Sequence, residues 1–588
     1  MSFTSWKDAK LEADLLGQIS LEAPWATVER FSTLVRSSGS PDERVAVDHL
    51  IDRLKEWGVP HTLHEPVCFV SMPIAATLRI DEPGGAVFKA KTTAMSISTG
   101  GVEISGEIVY IPPIERTEKL DDWSVGIDFR GVDVRGKVVI VDGMAAPARV
   151  LDAQRAGALA GIYINPGEYI HESICTSIWG TPDLDHIDRQ PAIPVLGVNH
   201  SDGQALIAHA KRGGRVAFST TVETGWKPIP VLVAEIPGSV VPDEFALLHG
   251  HIDSWHVGVG DNAVGDATML ELARVFWQNR DRLARSLKIA WWSGHSHGRY
   301  AGSTWYADTF AIELARGCVA QVNCDSPGCR WADTFNELTV MSEAEPFVDS
   351  VVRETTGITP QAERPPRAGD YSFNQIGISS FFMLSSTMSQ AVRDEQGYYP
   401  VGGCGANIAW HSEDDTMEIA DPENLLRDMK VYGASLLRVL NAPALPFDWR
   451  STTAEFKRTL DRYQLAAGCD FSFEPVFVAL DALNASLERL YQLVPNESVG
   501  SPESLHFNRV QRDLARILVP VNFTRASAFH HDSTYEPAPL PDLAPATTLP
   551  AIRDDQHLMR VTSAHLLRGR NRLVWALEQA RECVDRTV

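Results

Sequence analysis

The stretch from Pro228 onward constrains the fold most, because short apolar runs there alternate with amphipathic stretches. The apolar runs are VLVAEIPG, EFALLHGHID, SLKIAWWSG and GCVAQVNCD, and helical patterns over Met269 to Arg285 and Thr304 to Ala315 separate the later ones. Runs this apolar are typical of strands covered on both faces, and helices between them favour parallel crossovers. The pattern predicts an α/β sandwich with a largely parallel central sheet.

The flanking sequence divides the chain into four predicted units. Residues 1–99 carry two helical patterns, and we assign them to the same domain as residues 228–442. Residues 100–227 contain short Val- and Ile-rich strands broken by turns, which indicate an inserted β-rich module. Residues 443–588 carry three helical patterns, with a proline-rich excursion, HHDSTYEPAPLPDLAPATTLP, between them. The helical stretches are STTAEFKRTLDRYQLA, EPVFVALDALNASLERLYQLV and HLMRVTSAHLLRGRNRLVWALEQARECV.

The charge balance and hydropathy exclude several classes of partner. The 588 residues include 76 acidic and 53 basic side chains, which give a formal net charge of −23 and disfavour a phosphate backbone as partner. No run of about 18 uninterrupted apolar residues occurs, so no membrane span is predicted. The first residues lack a basic segment followed by an apolar one, so no secretory signal is expected. We predict a cytoplasmic protein that binds neither nucleic acid nor membrane.

Polar residues follow the apolar runs where the predicted strands end. These positions matter because ligands of open α/β sheets gather at the carboxyl ends of the strands. Imidazole and carboxylate are the ligands that zinc and neighbouring divalent metals prefer, and one carboxylate can bridge two ions. The sequence therefore predicts a metal site at this edge of the sheet. The candidates are His251 and Asp253 in ALLHGHIDS, Asp261 in GDNAVG, His295 and His297 in IAWWSGHSHG, Asp325 in VAQVNCDSPG, and His411 in NIAWHSEDDT.

The same segments resemble those of a known family. HGHIDSWHVGVGDNAVGDATMLELAR is similar to the signature of the di-zinc metallopeptidases of family 28, which include aminopeptidases and the glutamate carboxypeptidase II and transferrin receptor branch. DYSFNQIGISS and WHSEDDT resemble the segments around that family's last metal ligand. The resemblance implies a phosphorylase/aminopeptidase-like α/β sandwich over 1–99 and 228–442, an inserted protease-associated domain over 100–227, and a helical domain over 443–588 that forms a homodimer.

The resemblance also implies roles for individual residues. It makes His251, Asp261, Asp325 and His411 metal ligands, with Asp261 bridging two ions. It implies that Asp253 orients His251 through the second ring nitrogen. The implied cofactor is two zinc ions per chain, with manganese or iron as alternatives.

The chain departs from the family where two adjacent glutamates, a general base and a metal ligand, normally precede a Gly-Ser pair. Counting back from Gly302-Ser303 without a gap places Ser296 at the base position and His297 at the ligand position. We therefore expect His297 to bind metal. Ser296 cannot accept a proton from water, whereas His295 can, because imidazole titrates near neutrality. An alternative is that water activated by the metal ions attacks with little help from a base.

His295 and His297 are expected to address one site, because residues two apart in an extended segment face the same side.

Candidate substrate contacts lie in three other segments. Arg364 and Arg367 precede DYSF and can clamp a carboxylate, with solvated surface arginines as the alternative. Trp410, beside a predicted ligand, suggests an aromatic wall, with plain packing as the alternative. The segment HHDSTYEP keeps Tyr535 but has Thr534 where glutamate carboxypeptidases of the family have a lysine, so specificity for a C-terminal glutamate is not expected.

These features predict a metal-dependent hydrolase that cleaves an amide or peptide-like bond in a small molecule or peptide. Two alternatives stay open. One is a non-catalytic metal- or ligand-binding protein that has kept the fold, as in the receptor branch of the family. The other is a repurposed metalloenzyme that breaks a different bond, since function depends on the site and not on the fold.

Overall fold

The computed structural model describes residues 6–112, 126–129, 131–382, 385–495, 498–534 and 538–587. Within these ranges the chain forms a mixed α/β domain, an inserted β-rich module and a helical C-terminal region. The predicted α/β fold class is confirmed.

The α/β domain is built on a six-stranded sheet. Four neighbouring strands are parallel, and two further strands extend one edge, each through an antiparallel pairing. In spatial order the strands are His61–His64, Val231–Ile236, Arg285–Trp292, Val241–His251, Cys318–Asn323 and Ser380–Phe381. A separate pair, Leu338–Thr339 and Ala362–Glu363, is also parallel.

Alternate side chains of each strand pack on opposite faces of this sheet, as expected for a pleated strand. Leu232 and Ala234 belong to the larger core on one face, whereas Val231 and Val233 belong to a smaller core on the other. Both faces are therefore covered, which explains the continuous apolar runs. The helices of this domain are Ala9–Leu16, Glu22–Phe31, Pro41–Trp57, Val264–Gln278, Ala301–Thr309, Ala311–Gly317, Glu345–Thr356, Gln390–Gln396 and Pro422–Asn441.

One predicted helix ends earlier than its pattern suggested. The helix expected to reach Arg285 covers Val264–Gln278, and Arg285 is instead the first residue of a strand. The Arg285 guanidinium is buried, and its Nε donates to Glu244 Oε2 at 2.9 Å. This buried ion pair anchors the start of the strand and separates it from the helix.

The β-rich module is inserted between the first two strands of the α/β sheet. It begins earlier than the predicted boundary at residue 100, because three strands between residues 67 and 92 pair into its sheet. Its sheet has eight strands and carries apolar cores on both faces. In spatial order the strands are Val87–Phe88, Val67–Ile80, Arg215–Pro228, Ile104–Ile111, Val138–Asp142, Ala160–Ile164, Val195–Val198 and Lys91–Thr92, and the helices are Pro147–Arg155 and His200–Ala210.

The C-terminal region packs its helices around a separate apolar core. Its proline-rich excursion reaches back over the module, where the Thr534 N–H donates to the Ser177 carbonyl at 2.7 Å. None of the described helices is long and apolar enough to cross a bilayer. The helices are Trp449–Ala467, Glu474–Leu490, Pro502–Phe523, Leu549–Ile552 and Gln556–Asp585.

Candidate active site

The carboxyl ends of three neighbouring parallel strands bring several of the predicted site residues together. His251 is the last residue of Val241–His251, and Asp325 and His295 follow the strands on either side of it. One ring nitrogen each of His251 and His295 and one carboxylate oxygen of Asp325 lie within 4.8 Å of one another.

His251 is buried and presents one ring nitrogen to two carboxylates. Its Nδ1 donates to the main-chain oxygen of Asp253 at 2.8 Å, which leaves Nε2 to face the two carboxylates. Nε2 lies 3.0 Å from Asp261 Oδ1 and 3.5 Å from Asp325 Oδ2. Metal-binding histidines commonly donate their second ring N–H to a carbonyl in this way.

Asp261 lies between two imidazoles and offers one oxygen to each. Oδ1 faces His251, and Oδ2 lies 3.2 Å from His411 Nε2. The main-chain N–H groups of Gly260 and Asp261 donate to the Asp415 carboxylate at 2.7 and 3.0 Å, which fixes the loop that carries Asp261. A carboxylate placed in this way can bridge two cations.

His411 is held by the inserted module. Its Nδ1 lies 2.9 Å from the Glu172 main-chain oxygen, and the Glu172 N–H donates to the His411 carbonyl at 2.8 Å. Trp410 stacks on the His411 ring with centres 3.7 Å apart. The predicted aromatic neighbour is therefore present, and the module positions one of the candidate ligands.

The electrostatics of this cluster favour positive charge. Burial opposes protonation of His251, but Asp261 and Asp325 outweigh it and raise the pKa of His251 well above its usual range. Burial likewise opposes ionisation of Asp261, yet the His251 and His411 rings hold the pKa of Asp261 well below its usual range. The groups are arranged as if around a cation.

His295 lines a cavity of about 60 Å³ together with Asp261, Asp325 and His411. Its Nδ1 lies 2.7 Å from Asp370 Oδ2, which leaves Nε2 as the nitrogen that can meet a ligand. The ring stacks on His251 with centres 3.8 Å apart and planes inclined by 13°. This is an imidazole fixed by a carboxylate at the wall of a cavity.

His297 lies in a different environment from His295. Its Nδ1 is 3.1 Å from the Ser38 hydroxyl and 3.3 Å from the Ser38 main-chain nitrogen. Its ring contacts Trp255, with ring centres 4.2 Å apart, and only 3% of the residue is exposed. In the described part of the chain, the group of possible metal ligands contains His251, His295 and Asp325 but not His297, and the expectation that His297 binds metal stays a prediction.

The Asp253 carboxylate does not hold His251 as the resemblance implied. That role falls to the Asp253 main-chain oxygen, while the carboxylate is 3.8 Å from His251 Nδ1. The carboxylate instead accepts from the main-chain N–H groups of His295 and Ser296, at 3.2 and 2.8 Å, and from the Ser38 hydroxyl. Asp253 therefore fixes the loop that carries the two histidines. Ser296 itself lies at the cavity wall.

Neither of the two arginines expected to contact the substrate is among the residues that line this cavity. Arg364 donates to the Asn522 carbonyl at 2.7 Å and pairs with Glu455, and its guanidinium lies over the Phe523 ring. Arg367 donates to the Asp532 carbonyl at 2.6 and 2.9 Å. Both tie the C-terminal region to the α/β domain. Tyr535, the remaining predicted contact, lies outside the described residues.

Three residues that the sequence analysis did not single out belong to the site. Arg299 and Tyr300 line the cavity, and Asp370 binds His295. Asp370 is the first residue of DYSFNQIGISS, which resembles a family segment near the last metal ligand. That resemblance was the sequence feature that could have identified Asp370 as a site residue. Trp255 also lines the cavity.

The residues present fit a divalent metal. His251 Nε2 and Asp261 Oδ1 are buried without a regular hydrogen-bond partner, although they face each other. Buried polar atoms are rarely left in that state unless a ligand or ion satisfies them. Imidazole nitrogen and carboxylate oxygen are the donor set of zinc and similar ions.

Comparison with known proteins agrees with this geometry. Residues 232–434 match the model of Peptidase family M28, and residues 104–206 match that of the PA domain. Carboxypeptidase Q of Bos taurus is 25% identical over 300 residues, which cover 47% of this chain and 60% of that protein. Probable glutamate carboxypeptidase VP8 of Zea mays is 22% identical over 495 residues, which cover 71% of this chain and 67% of that protein. The matched region thus spans only part of the length of each relative.

Solved structures share the fold. The aminopeptidase from Aneurinibacillus sp. strain AM-1 superposes with a TM-score of 0.53 at 18% identity and covers 72% of this chain and 95% of its own. The zinc aminopeptidase BSAP from Bacillus subtilis gives a TM-score of 0.52 at 16% identity, over 71% of this chain and 94% of its own. Identities this low show the fold alone. These matches confirm the resemblance drawn from the sequence: residues 232–434 are similar to Peptidase family M28, and residues 104–206 are similar to the PA domain.

Proposed function

We propose that the chain is a metal-dependent hydrolase that cleaves an amide or peptide bond in a small substrate. The observation that carries this proposal is Asp261, whose two oxygens face the Nε2 atoms of His251 and His411. Each imidazole is oriented by a main-chain carbonyl on its Nδ1. The relatives named carboxypeptidases support the same class of reaction.

His251, Asp261 and Asp325 would hold the first ion, because His251 Nε2 faces both carboxylates. His411 and Asp261 would hold a second ion. Bound there, divalent metal would polarise the scissile carbonyl and make water a better nucleophile. Zinc suits these donors, and manganese or iron would use the same groups.

The second ion would be the weaker one. Asp261 and His411 form a pair at this position, whereas His251, Asp261 and Asp325 form a set of three at the first. His297, which the sequence analysis expected to bind metal, does not belong to the group of possible ligands found in the described part of the chain. Two protein ligands bind an ion less tightly than three, so we propose one firmly held ion and one that dissociates readily.

His295 would transfer protons rather than share the ion of His251. The two rings are nearly parallel, so their in-plane lone pairs point along separate lines and do not converge on one ion. The Asp370 carboxylate at Nδ1 fixes the ring and would stabilise it when protonated. Nε2 is then free to take a proton from water and return it to the leaving group.

The test is metal analysis combined with a substrate screen. Protein purified without added metal is dialysed against zinc, its bound ions are counted, and it is offered dipeptides, aminoacyl amides and N-acyl amino acids. We expect bound zinc and hydrolysis that a chelator abolishes. A protein that binds zinc but hydrolyses none of these compounds would favour the non-catalytic alternative. In that case Ser296, which stands where the family has its glutamate base, would explain the loss of activity.

We also propose that the chain is a cytoplasmic homodimer. The helix Gln556–Asp585 leaves Leu558, Val561 and Trp575 exposed by 45, 53 and 62%, within about a third of the helix circumference. A second copy of this face would cover them.

All eight cysteines are unbridged, which suits a reducing compartment. A monomer at micromolar concentration in sedimentation would contradict the dimer, and secretion in a fractionation experiment would contradict the compartment.

A further inference from the structure

His411, the proposed ligand of the second ion, has a strained main chain. Its φ angle is +55°, a left-handed conformation that residues with a side chain rarely adopt. Such conformations persist only where the surrounding structure enforces them. His411 Nε2 nevertheless has to point at Asp261 Oδ2, 3.2 Å away, if the two are to share an ion. The contacts that hold His411 therefore decide how well the second metal position is formed.

Two consecutive residues of the inserted module hold this segment. The main chain of Glu172 binds His411 twice, at 2.8 Å through its N–H and at 2.9 Å through its carbonyl. The His171 ring lies 2.6 Å from the Trp410 carbonyl through Nδ1 and 2.7 Å from the Tyr399 hydroxyl through Nε2. Because His171 is buried, the loss of either bond would leave a polar group without a partner. The module therefore binds both His411 and the residue before it.

A lysine of the module joins the same two segments. Lys91 Nζ lies 2.9 Å from Glu172 Oε1 and 2.8 Å from Glu413 Oε2, two residues after His411. The side chains of Lys91 and Glu172 are 15 and 10% exposed, so solvent screens their ion pair less than a surface pair. His256 Nε2 lies 3.1 Å from the same Glu172 oxygen. Lys91 therefore ties the segment that carries His411 to the module at a second point.

The first metal position is built from the α/β domain itself. His251 ends a central strand, and its Nδ1 donates to the Asp253 main-chain oxygen two residues further on. Asp325 follows the neighbouring parallel strand. The Asp261 loop, which both positions share, is fixed by Asp415 of the same domain. Loosening the contacts of the module should therefore affect the two positions unequally.

We propose that the inserted module controls the occupancy of the second metal position, with Lys91 and His171 as positioning residues that act through His411. The inference rests on the two-metal site of the proposed function. When the module contacts are lost, His411 can relax from its left-handed conformation, and its Nε2 no longer faces Asp261. The second position then loses affinity for an ion while the first keeps it. Residues that orient a metal ligand from behind typically change metal affinity by about 10- to 100-fold.

The test is a zinc titration of the metal-free full chain against a chromophoric chelator, which resolves the two binding steps without any substrate. Lys91→Met removes the cation between Glu172 and Glu413, and His171→Phe keeps a ring but removes both hydrogen bonds. We expect each variant to weaken the second step by about 10-fold or more and to leave the first within about twofold. Lys91→Arg keeps the charge and should restore most of the second-step affinity.

Lys137→Met is the matched control, because Lys137 also lies in the module and pairs with Glu107 at 2.9 Å. It should bind both ions as the parent protein does. The thermal midpoint verifies that each variant is folded; if His171→Phe does not fold, Lys91→Met and Lys91→Arg decide.

An unchanged second step in the folded variants would overturn the proposal. Equal weakening of both steps would overturn it too, because it would mark a general loss of structure. A parent protein that binds a single zinc ion would contradict the two-metal site of the proposed function and this inference with it. Two bound ions without hydrolysis of any substrate would contradict the hydrolase function alone, and the second binding step would still decide the role of the module.

Discussion

His295 and His297 are separated by one residue, yet they lie in opposite surroundings. His295 lines the cavity and is fixed by Asp370. His297 is buried between Ser38 and Trp255. The first has a ring nitrogen toward the cavity, and the second contacts a residue of the N-terminal segment of the same domain. Two histidines this close in sequence are therefore expected to differ in role.

The difference arises from the turn that carries them. The expectation that both face one site assumed an extended segment, but the strand ends at Trp292 and Gly294 has a φ of +78°. From there the chain turns tightly up to the helix that begins at Ala301. In a turn, residues two apart no longer share a side.

The largest effect should come from Asp261, which both halves of the metal site share. Asp261→Ala should lose bound zinc and reduce kcat/KM by about 1000-fold or more, since metal ions supply several kcal/mol of transition-state stabilisation. Plasma emission analysis after dialysis and a rate assay check this. Asp461→Ala, an exposed carboxylate on a C-terminal helix, is the control. If Asp261→Ala bound as much zinc as the parent protein, the proposed metal site would be wrong.

His295→Gln should be next, with zinc retained and kcat reduced about 100-fold, the usual contribution of a general base. His200→Gln, at an exposed helix start, controls for the loss of an imidazole. Full activity in His295→Gln would show that water needs no base here, or that another group supplies it.

Asp370→Asn should have a smaller effect of the same kind. The amide keeps the shape of the side chain but removes the charge that fixes and stabilises His295, and a charge-assisted hydrogen bond is worth about tenfold in rate. Zinc content should not change. If Asp370→Asn lost zinc while His295→Gln kept it, the proposed pairing of these two residues would be wrong.

His297→Gln should have the smallest effect on catalysis. We expect unchanged zinc, kcat/KM within about twofold, and a free energy of unfolding lower by about 1–2 kcal/mol, typical for a buried polar contact. Denaturant titration and the rate assay measure the two quantities. Loss of zinc in this variant would restore the ligand role that the family alignment implied.

Much of the site could be predicted because it depends on strand ends. His251 and Asp325 follow apolar runs, and those runs are parallel strands whose carboxyl ends meet at one edge. Contacts between distant segments could not be predicted from periodicity. Ser38 reaches His297 across 259 positions, and Glu172 reaches His411 across 239.

In the C-terminal helical region, too, part of the structure could not be predicted from the sequence pattern. Three of its helices follow clear apolar periodicity, but Pro502–Phe523 was missed, although Ser501 and Pro502 form an ordinary helix start. Pro520 inside its last turn and the proline-rich segment after it obscured the pattern. The boundary at Arg285 was also misplaced because a buried ion pair, which no local pattern reveals, begins the strand.

The most direct test of the contrast between the two histidines is anomalous diffraction at the zinc edge from crystals of the zinc-loaded protein. We predict the strongest peak about 2 Å from His251 Nε2 and in contact with Asp261 and Asp325, a weaker peak between Asp261 and His411, and no peak bonded to His297. A zinc ion bonded to His297, or an empty position at His251, would contradict the account.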